Sequence, residues 1–114
     1  MNQEIWSKVD AYIKEKLVAS DSVLDAVLRA NAAAGLPEID VSPTLGKFLE
    51  LVARLAGARR ILEIGTLGGY STIWLARALP RNGKLVTMEA NPKHAAKPVS
   101  YPSPTSATTI EQLG

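Results

Sequence analysis

A glycine-rich turn between a strand-like run and a helical pattern constrains this chain more than any other feature. The turn, Gly65-Thr66-Leu67-Gly68-Gly69, follows the β-prone residues 59–64 and precedes an amphipathic pattern that ends at Pro80. A second turn, Arg81-Asn82-Gly83, leads into another β-prone run over residues 84–90. Strand, helix and strand in this order predict a right-handed βαβ crossover with two parallel strands.

Three helices are predicted before this unit. Apolar residues recur at helical spacing over residues 3–18, again from the caps Ser20 and Asp21 to Gly35, and again from Ser42-Pro43 to Gly57. Serine or aspartate before a helix and glycine after it are typical capping residues. The predicted fold class is therefore α/β, with residues 1–57 helical and residues 58–94 forming the βαβ unit.

Composition excludes several classes of function. The 114 residues include no cysteine and one histidine, so disulfides, a thiolate nucleophile and a Cys-ligated zinc are excluded. The net charge of +2 gives no reason to expect nucleic acid or an anionic membrane as a partner. No apolar run has the length of a membrane span, and residues 1–4 lack the pattern of a signal peptide. We therefore expect a cytoplasmic protein.

Residues 95–114 differ in composition from the rest of the chain. They contain three Ser, three Thr and three Pro, and Pro98, Pro102 and Pro104 prevent a helix there. The helix start at Asn91-Pro92 is accordingly not expected to develop. The sequence predicts that residues 95–114 form a largely disordered or loosely attached tail.

Two acidic residues beside the glycine turn are candidates for ligand binding. Glu89 ends the second predicted strand, where a carboxylate can accept hydrogen bonds from both hydroxyls of a ribose. Glu63 lies inside the first strand, where a carboxylate needs a partner. That partner could be a ligand ammonium group, or Arg59 or Arg60. The glycines at 65, 68 and 69 depart from the G-x-G-x-x-G pattern, which disfavours an NAD-type dinucleotide.

The run from Leu62 to Thr72, followed by Glu89, resembles the S-adenosylmethionine-dependent O-methyltransferases of the caffeoyl-CoA and catechol type. The resemblance extends upstream through residues 39–43 and 46–49, and downstream to about His94. It implies a Rossmann-like methyltransferase fold, of which residues 1–94 would be the N-terminal half. The sequence after His94 departs from the family, and it would fit a shifted reading frame, an early stop or a truncation.

The resemblance also implies a binding site for S-adenosylmethionine. Glu63 would face the methionine amino group, and Glu89 would hold the ribose. The remaining residues implied to bind the cofactor lie in the turn, at the helix start and in the loop before the third helix: Gly65, Thr66, Ser71 and Val41.

The activity implied by the resemblance is methyl transfer from S-adenosylmethionine to a hydroxyl of a small, catechol-like acceptor. A divalent metal such as Mg²⁺ would lower the pKa of that hydroxyl. Its ligands in the family lie beyond the matched residues, so neither a metal ligand nor a catalytic residue is assigned. We expect this chain to be inactive on its own.

A non-catalytic interaction module is the alternative. In that case the N-terminal helices would dimerise, with themselves or with a full-length relative, and the βαβ unit would be vestigial. Trp6, Phe48 and Trp74 are expected in a core or an interface. Two predicted strands with unpaired edges also suggest a weakly stable, oligomeric or aggregation-prone chain.

Overall fold

The computed structural model describes residues 2–97 and 109–114. This part of the chain contains five helices and three strands. In chain order they are α1 (Gln3–Leu17), α2 (Ser22–Ala33), α3 (Pro43–Leu55), β1 (Arg60–Ile64), α4 (Tyr70–Ala78), β2 (Lys84–Met88), α5 (Pro92–Ala95) and β3 (Thr109–Leu113). The predicted α/β class, with helices first and a βαβ unit after them, is confirmed.

The helix starts follow local side-chain chemistry. The Asp21 carboxylate accepts backbone hydrogen bonds at the start of α2, and the Ser42 hydroxyl does so at the start of α3. The start of α4 has no side-chain cap. Gly69, with a φ of 90°, is the N-cap, and the Ser71 hydroxyl donates to Glu63 inside the first turn.

The sheet has the order β1-β2-β3, and both strand pairs are parallel. The third strand was not predicted. The prediction of a tail without regular structure is wrong for residues 109–113, where β3 pairs with the free edge of β2. Ile110 packs near the buried Leu85, and Glu111 forms an ion pair with Lys84 at 2.6 Å. The three prolines on which that prediction rested lie in residues 98–108, outside the described residues.

One face of the sheet is covered by α4. Glu63 of β1 and Leu85 and Thr87 of β2 lie on this covered face and are buried. Leu85 packs against Ala76 and Leu79 at the end of α4. The opposite side of α4 packs against α2 in a second apolar cluster, formed by Leu24, Val27, Tyr70, Ile73 and Trp74.

The other face of the sheet is open within the described part of the chain. Leu62 and Ile64 of β1 are 63% and 81% exposed, and Met88 of β2 and Leu113 of β3 are also exposed. We call these four residues the open face. Parallel sheets are normally covered on both faces, so this face has the composition of an interior and the accessibility of a surface.

The N-terminal helix also presents apolar residues to solvent. All residues of α1 are described, and none is buried. Trp6 in α1 and Phe48 in α3 are exposed, whereas Trp74 in α4 belongs to the core. Of the three aromatic residues expected in a core or an interface, Trp74 is thus confirmed as a core residue. Over residues 2–97 and 109–114, no helix combines the length and the apolar character needed to cross a bilayer.

Candidate functional site

The carboxyl ends of β1 and β2 bring the glycine turn next to Glu89. The Gly65 N–H donates to the Met88 carbonyl at 2.7 Å, which fixes the first residue of the turn to the end of β2. The Leu67 N–H then donates to Glu89 Oε1 at 2.7 Å, so the carboxylate folds back onto the turn. In open α/β sheets, ligands bind at this edge, outside the carboxyl ends of the strands.

Gly65 and Gly68 have different roles in the turn. Gly65 has a φ of 95°. Apart from its two chain neighbours, no heavy atom of residues 2–97 and 109–114 lies within 4 Å of the place where a Cβ would be, so space for a ligand is open beside it. A Cβ on Gly68 would overlap the amide of Asn31, which reaches over from α2. The absence of a side chain at Gly68 therefore makes room for Asn31, whereas its absence at Gly65 leaves the turn accessible.

The Glu63 carboxylate is held by three hydroxyl groups. Its Oε2 accepts from Ser71 at 2.6 Å. Its Oε1 accepts from Thr72, in the same turn of α4, and from Thr87 of β2 at 2.7 Å. These donors satisfy a carboxylate that is only 9% exposed, in place of the arginine partners considered from the sequence.

Thr66 is predicted to line the turn, and the structure buries its side chain. The Thr66 hydroxyl lies 2.7 Å from the Thr87 hydroxyl, which itself donates to Glu63. The side chain of Thr66 is therefore part of the network behind Glu63. Its backbone stays in the turn next to the open space at Gly65.

Glu89 is also positioned by backbone donors. In addition to Leu67, the Asn91 N–H donates to its other oxygen at 3.1 Å. The hydrogen bond from Leu67, followed by that from Asn91, lowers the pKa of Glu89 below its ordinary value. His94 Nδ1 lies 3.9 Å from the carboxylate. A carboxylate has about four lone-pair sites, so Glu89 can still accept hydrogen bonds from a ligand.

Val41 lies in the loop between α2 and α3, and its half-buried side chain packs against the cluster formed by α2 and α4. Asn31 connects this loop to the turn, because its Nδ2 donates to Asp40 at 3.3 Å while its amide lies over Gly68. Burial raises the pKa of Asp40 above its ordinary value. Val41 is thus linked to the turn through its neighbour Asp40.

The structure brings five of the six predicted site residues together at β1, the turn, the start of α4 and the end of β2: Glu63, Gly65, Thr66, Ser71 and Glu89. The sixth, Val41, is linked to the turn through Asp40. Sequence reasoning missed Thr72, Thr87 and Asn31. The alternation of side chains along β2 could have placed Thr87 on the same face as Glu63, but only if the register of β1 on β2 were already known. No sequence signal brings Asn31 to Gly68, because the contact depends on how α2 packs.

The resemblance implies a metal site in the family. Among the described residues, no three His, Cys, Asp or Glu side chains lie close enough together to hold an ion. The described residues therefore do not form a site that fits a metal.

The known sequences that this chain resembles are O-methyltransferases. The profile of the O-methyltransferase family matches residues 14–107. A catechol O-methyltransferase of Niastella koreensis is 56% identical over 96 residues, which are 84% of this chain and 43% of the relative. A catechol O-methyltransferase of Mycobacterium tuberculosis is 56% identical over 87 residues, which are 76% of this chain and 40% of the relative.

Solved structures agree with the sequence matches. An O-methyltransferase from Bacillus cereus in complex with SAH superposes with a TM-score of 0.82 at 49% identity, covering 96% of this chain and 51% of that one. The O-methyltransferase TomG from Streptomyces achromogenes, in complex with SAM, gives 0.77 at 41% identity, covering 100% and 52%. The chain thus spans about half the length of the relatives it matches.

Parallel strands with a glycine turn at their carboxyl ends, and helices before them, define a Rossmann-like α/β protein. With the family profile matching most of its length, the chain belongs to the O-methyltransferase family.

Proposed function

We propose that this chain binds S-adenosylmethionine, or its demethylated product S-adenosylhomocysteine, at the edge formed by the glycine turn and Glu89. The observation that carries the proposal is the open space at Gly65, next to a carboxylate that is folded onto the turn. Solved relatives with 41% and 49% identity hold SAM and SAH, which supports the same ligand class here.

Each residue of the site has a proposed role that its geometry allows. Glu63 would accept a hydrogen bond from the ligand ammonium group, with Ser71 beside it on the same oxygen. Glu89 would accept from the ribose hydroxyls, since the backbone donors leave it with free lone pairs. The backbone of Gly65 and Thr66 would contact the ligand at the turn, and Val41 would contact it from the loop.

The reaction of the whole enzyme is proposed to be methylation of a hydroxyl on a small, catechol-like acceptor. When bound, S-adenosylmethionine would supply a methyl group on a sulfonium. The acceptor oxygen would form the new bond to that carbon as the bond to sulfur breaks, with S-adenosylhomocysteine as the sulfur product and the hydroxyl proton released to solvent. The contribution of the residues described above would be to bind and orient. Because the chain spans about half the length of its relatives, we propose that it does not turn over on its own.

Calorimetric titration tests the binding proposal. We expect S-adenosylhomocysteine to bind more tightly than NAD, and Glu89→Ala to weaken binding by about 1–3 kcal/mol, the scale of a lost charge-assisted hydrogen bond. Glu15→Ala, at an exposed glutamate of α1, is the matched control and should bind as the unmodified chain does. Tighter binding of NAD, or an unchanged affinity of Glu89→Ala, would contradict the proposal.

A turnover assay tests the proposed lack of activity. The purified chain is incubated with S-adenosylmethionine, Mg²⁺ and a panel of catechols, and methylated product is measured. We expect none. Turnover above about 0.1 s⁻¹, against the 1–10³ s⁻¹ that is typical of enzymes, would contradict the proposal and show that this chain suffices for catalysis.

An interaction module is the second candidate, and the exposure of α1 favours it. This helix presents Trp6, Val9 and Tyr12 to solvent, as a helix that docks on another chain would. We propose that it mediates homo-oligomerisation. Light scattering after size exclusion should show an oligomer that Trp6→Glu dissociates. A monomeric chain would contradict this, and an oligomer that binds no S-adenosylhomocysteine would favour the module over the enzyme.

A further inference from the structure

We propose that Thr87 is a positioning residue that aims the Glu63 carboxylate at the ammonium group of the ligand. This inference rests on the proposed binding of S-adenosylmethionine. It assigns a role to a side chain that lies behind the site and would not itself touch the ligand.

The direction of the hydrogen bonds follows from counting protons. Thr87 has one hydroxyl proton, and it donates that proton to Glu63 Oε1 at 2.7 Å. In its 2.7 Å contact with Thr66, the Thr87 oxygen must therefore accept, so Thr66 donates. A hydroxyl chain runs in one direction, from the glycine turn through β2 to the carboxylate in β1.

The two oxygens of Glu63 are used unequally. Oε1 accepts two hydrogen bonds, from Thr72 and Thr87, which fill both of its lone pairs. From the part of the chain that the structure describes, Oε2 accepts one, from Ser71. The acceptor capacity that remains for a ligand is thus on Oε2, and Thr87 keeps it there by occupying the other oxygen.

Substitutions at Thr87 can separate its hydrogen bond to Glu63 from its contribution to packing. Thr87 is fully buried and pairs directly with Glu63 across the parallel strands. Valine has nearly the same shape and suits a strand equally well, but it has no proton to donate. Thr87→Val therefore removes the donor, whereas Thr87→Ser keeps the donor and removes a methyl group.

A titration with two ligands tests the inference. Each variant of the full chain is titrated with S-adenosylhomocysteine and with a deaminated analogue that lacks only the ammonium group. We expect Thr87→Val to bind S-adenosylhomocysteine about 10-fold more weakly, as for one lost hydrogen bond to a charged group, and to bind the analogue as before. Thr87→Ser should restore the affinity. Thr44→Val, at a threonine of α3 outside the network, is the control.

The outcomes separate this inference from the proposed function. If the unmodified chain binds neither ligand, the proposed function fails. If it binds both, and Thr87→Val weakens both equally or neither, Thr87 does not act through Glu63 and the inference is overturned. Should Thr87→Val not fold, Thr87→Ala is compared with Thr87→Ser, because these two variants differ only in the hydroxyl group. Selective loss of the ammonium contribution in Thr87→Ala supports the inference, and uniform loss or no loss overturns it.

Discussion

The two faces of the sheet reverse the usual distribution of polar and apolar residues within one strand. In β1, Glu63 is buried on the covered face, while its neighbours Leu62 and Ile64 are exposed on the open face. The buried carboxylate is stable because three hydroxyls surround it. The covered face is therefore complete in itself, whereas the open face has the composition of a face that another layer covers, and the described residues do not provide that layer.

The largest expected effect comes from comparing two leucines in the strands. Leu85→Ala on the covered face should lower the free energy of unfolding by about 2–5 kcal/mol, because it leaves a cavity against α4. Leu62→Ala on the open face should change it by less than about 0.5 kcal/mol. Urea unfolding followed by circular dichroism measures both, and equal effects would mean that the open face is covered in solution.

A smaller effect is expected where α3 packs against the helix that covers the sheet. A Cβ on Gly46 would overlap the indole of Trp74, so Gly46→Ala should lower the free energy of unfolding by about 1–3 kcal/mol. The effect should shrink in a Trp74→Phe background, where the ring is smaller. Additive effects in this double-mutant cycle would refute the close contact.

The carboxylate at the end of β2 gives a smaller, pH-dependent effect. Hydrogen bonds lower the pKa of Glu89 in the folded state, so its contribution to stability is present above the ordinary value of 4.5 and is lost as the pH falls through the folded value. Glu89→Gln should cost on the order of 1 kcal/mol at pH 7. It should also lose stability less steeply in acid than the unmodified chain. Identical acid profiles, with Glu15→Gln as reference, would argue against these hydrogen bonds.

The smallest effect is expected at Asp40, whose pKa is shifted in the opposite direction to that of Glu89. Burial raises the pKa of Asp40, so its ionised form is disfavoured in the folded state and its contribution to stability falls as the pH rises. Asp40→Asn keeps an acceptor for Asn31 and should raise the free energy of unfolding at pH 7. The gain should be well under about 1 kcal/mol, because solvent screens a carboxylate that is only partly buried. The gain should vanish well below pH 3.8, where Asp40 is protonated. Urea unfolding at both pH values measures it, and a lower free energy of unfolding for Asp40→Asn at pH 7 would contradict the prediction.

The sequence predicts the elements of this fold better than their tertiary partners. Caps such as Asp21 and Ser42 act within a few residues, so α2 and α3 begin where local chemistry places them. β3 escaped prediction because a five-residue strand in a proline-rich region is stabilised by the edge of β2 and by Leu85, not by its own propensity.

The candidate site divides in the same way. Gly65, Glu63 and Glu89 stand out in the sequence, because glycine in a turn and carboxylates in or after strands are unusual enough to require a reason. Their supporting residues do not stand out. Thr87 is an ordinary residue for a strand, and only the register of β1 on β2 gives it Glu63 as a partner.

The contact between Asn31 and Gly68 has a consequence for how this turn can change in evolution. Because a Cβ at position 68 would occupy the space of the Asn31 amide, position 68 cannot gain a side chain while Asn31 keeps its place. A homologue with a side chain at position 68 is therefore expected to carry a smaller residue at position 31, or to have shifted α2 outward. The glycine of the motif and a residue 37 positions earlier should be inherited as a pair.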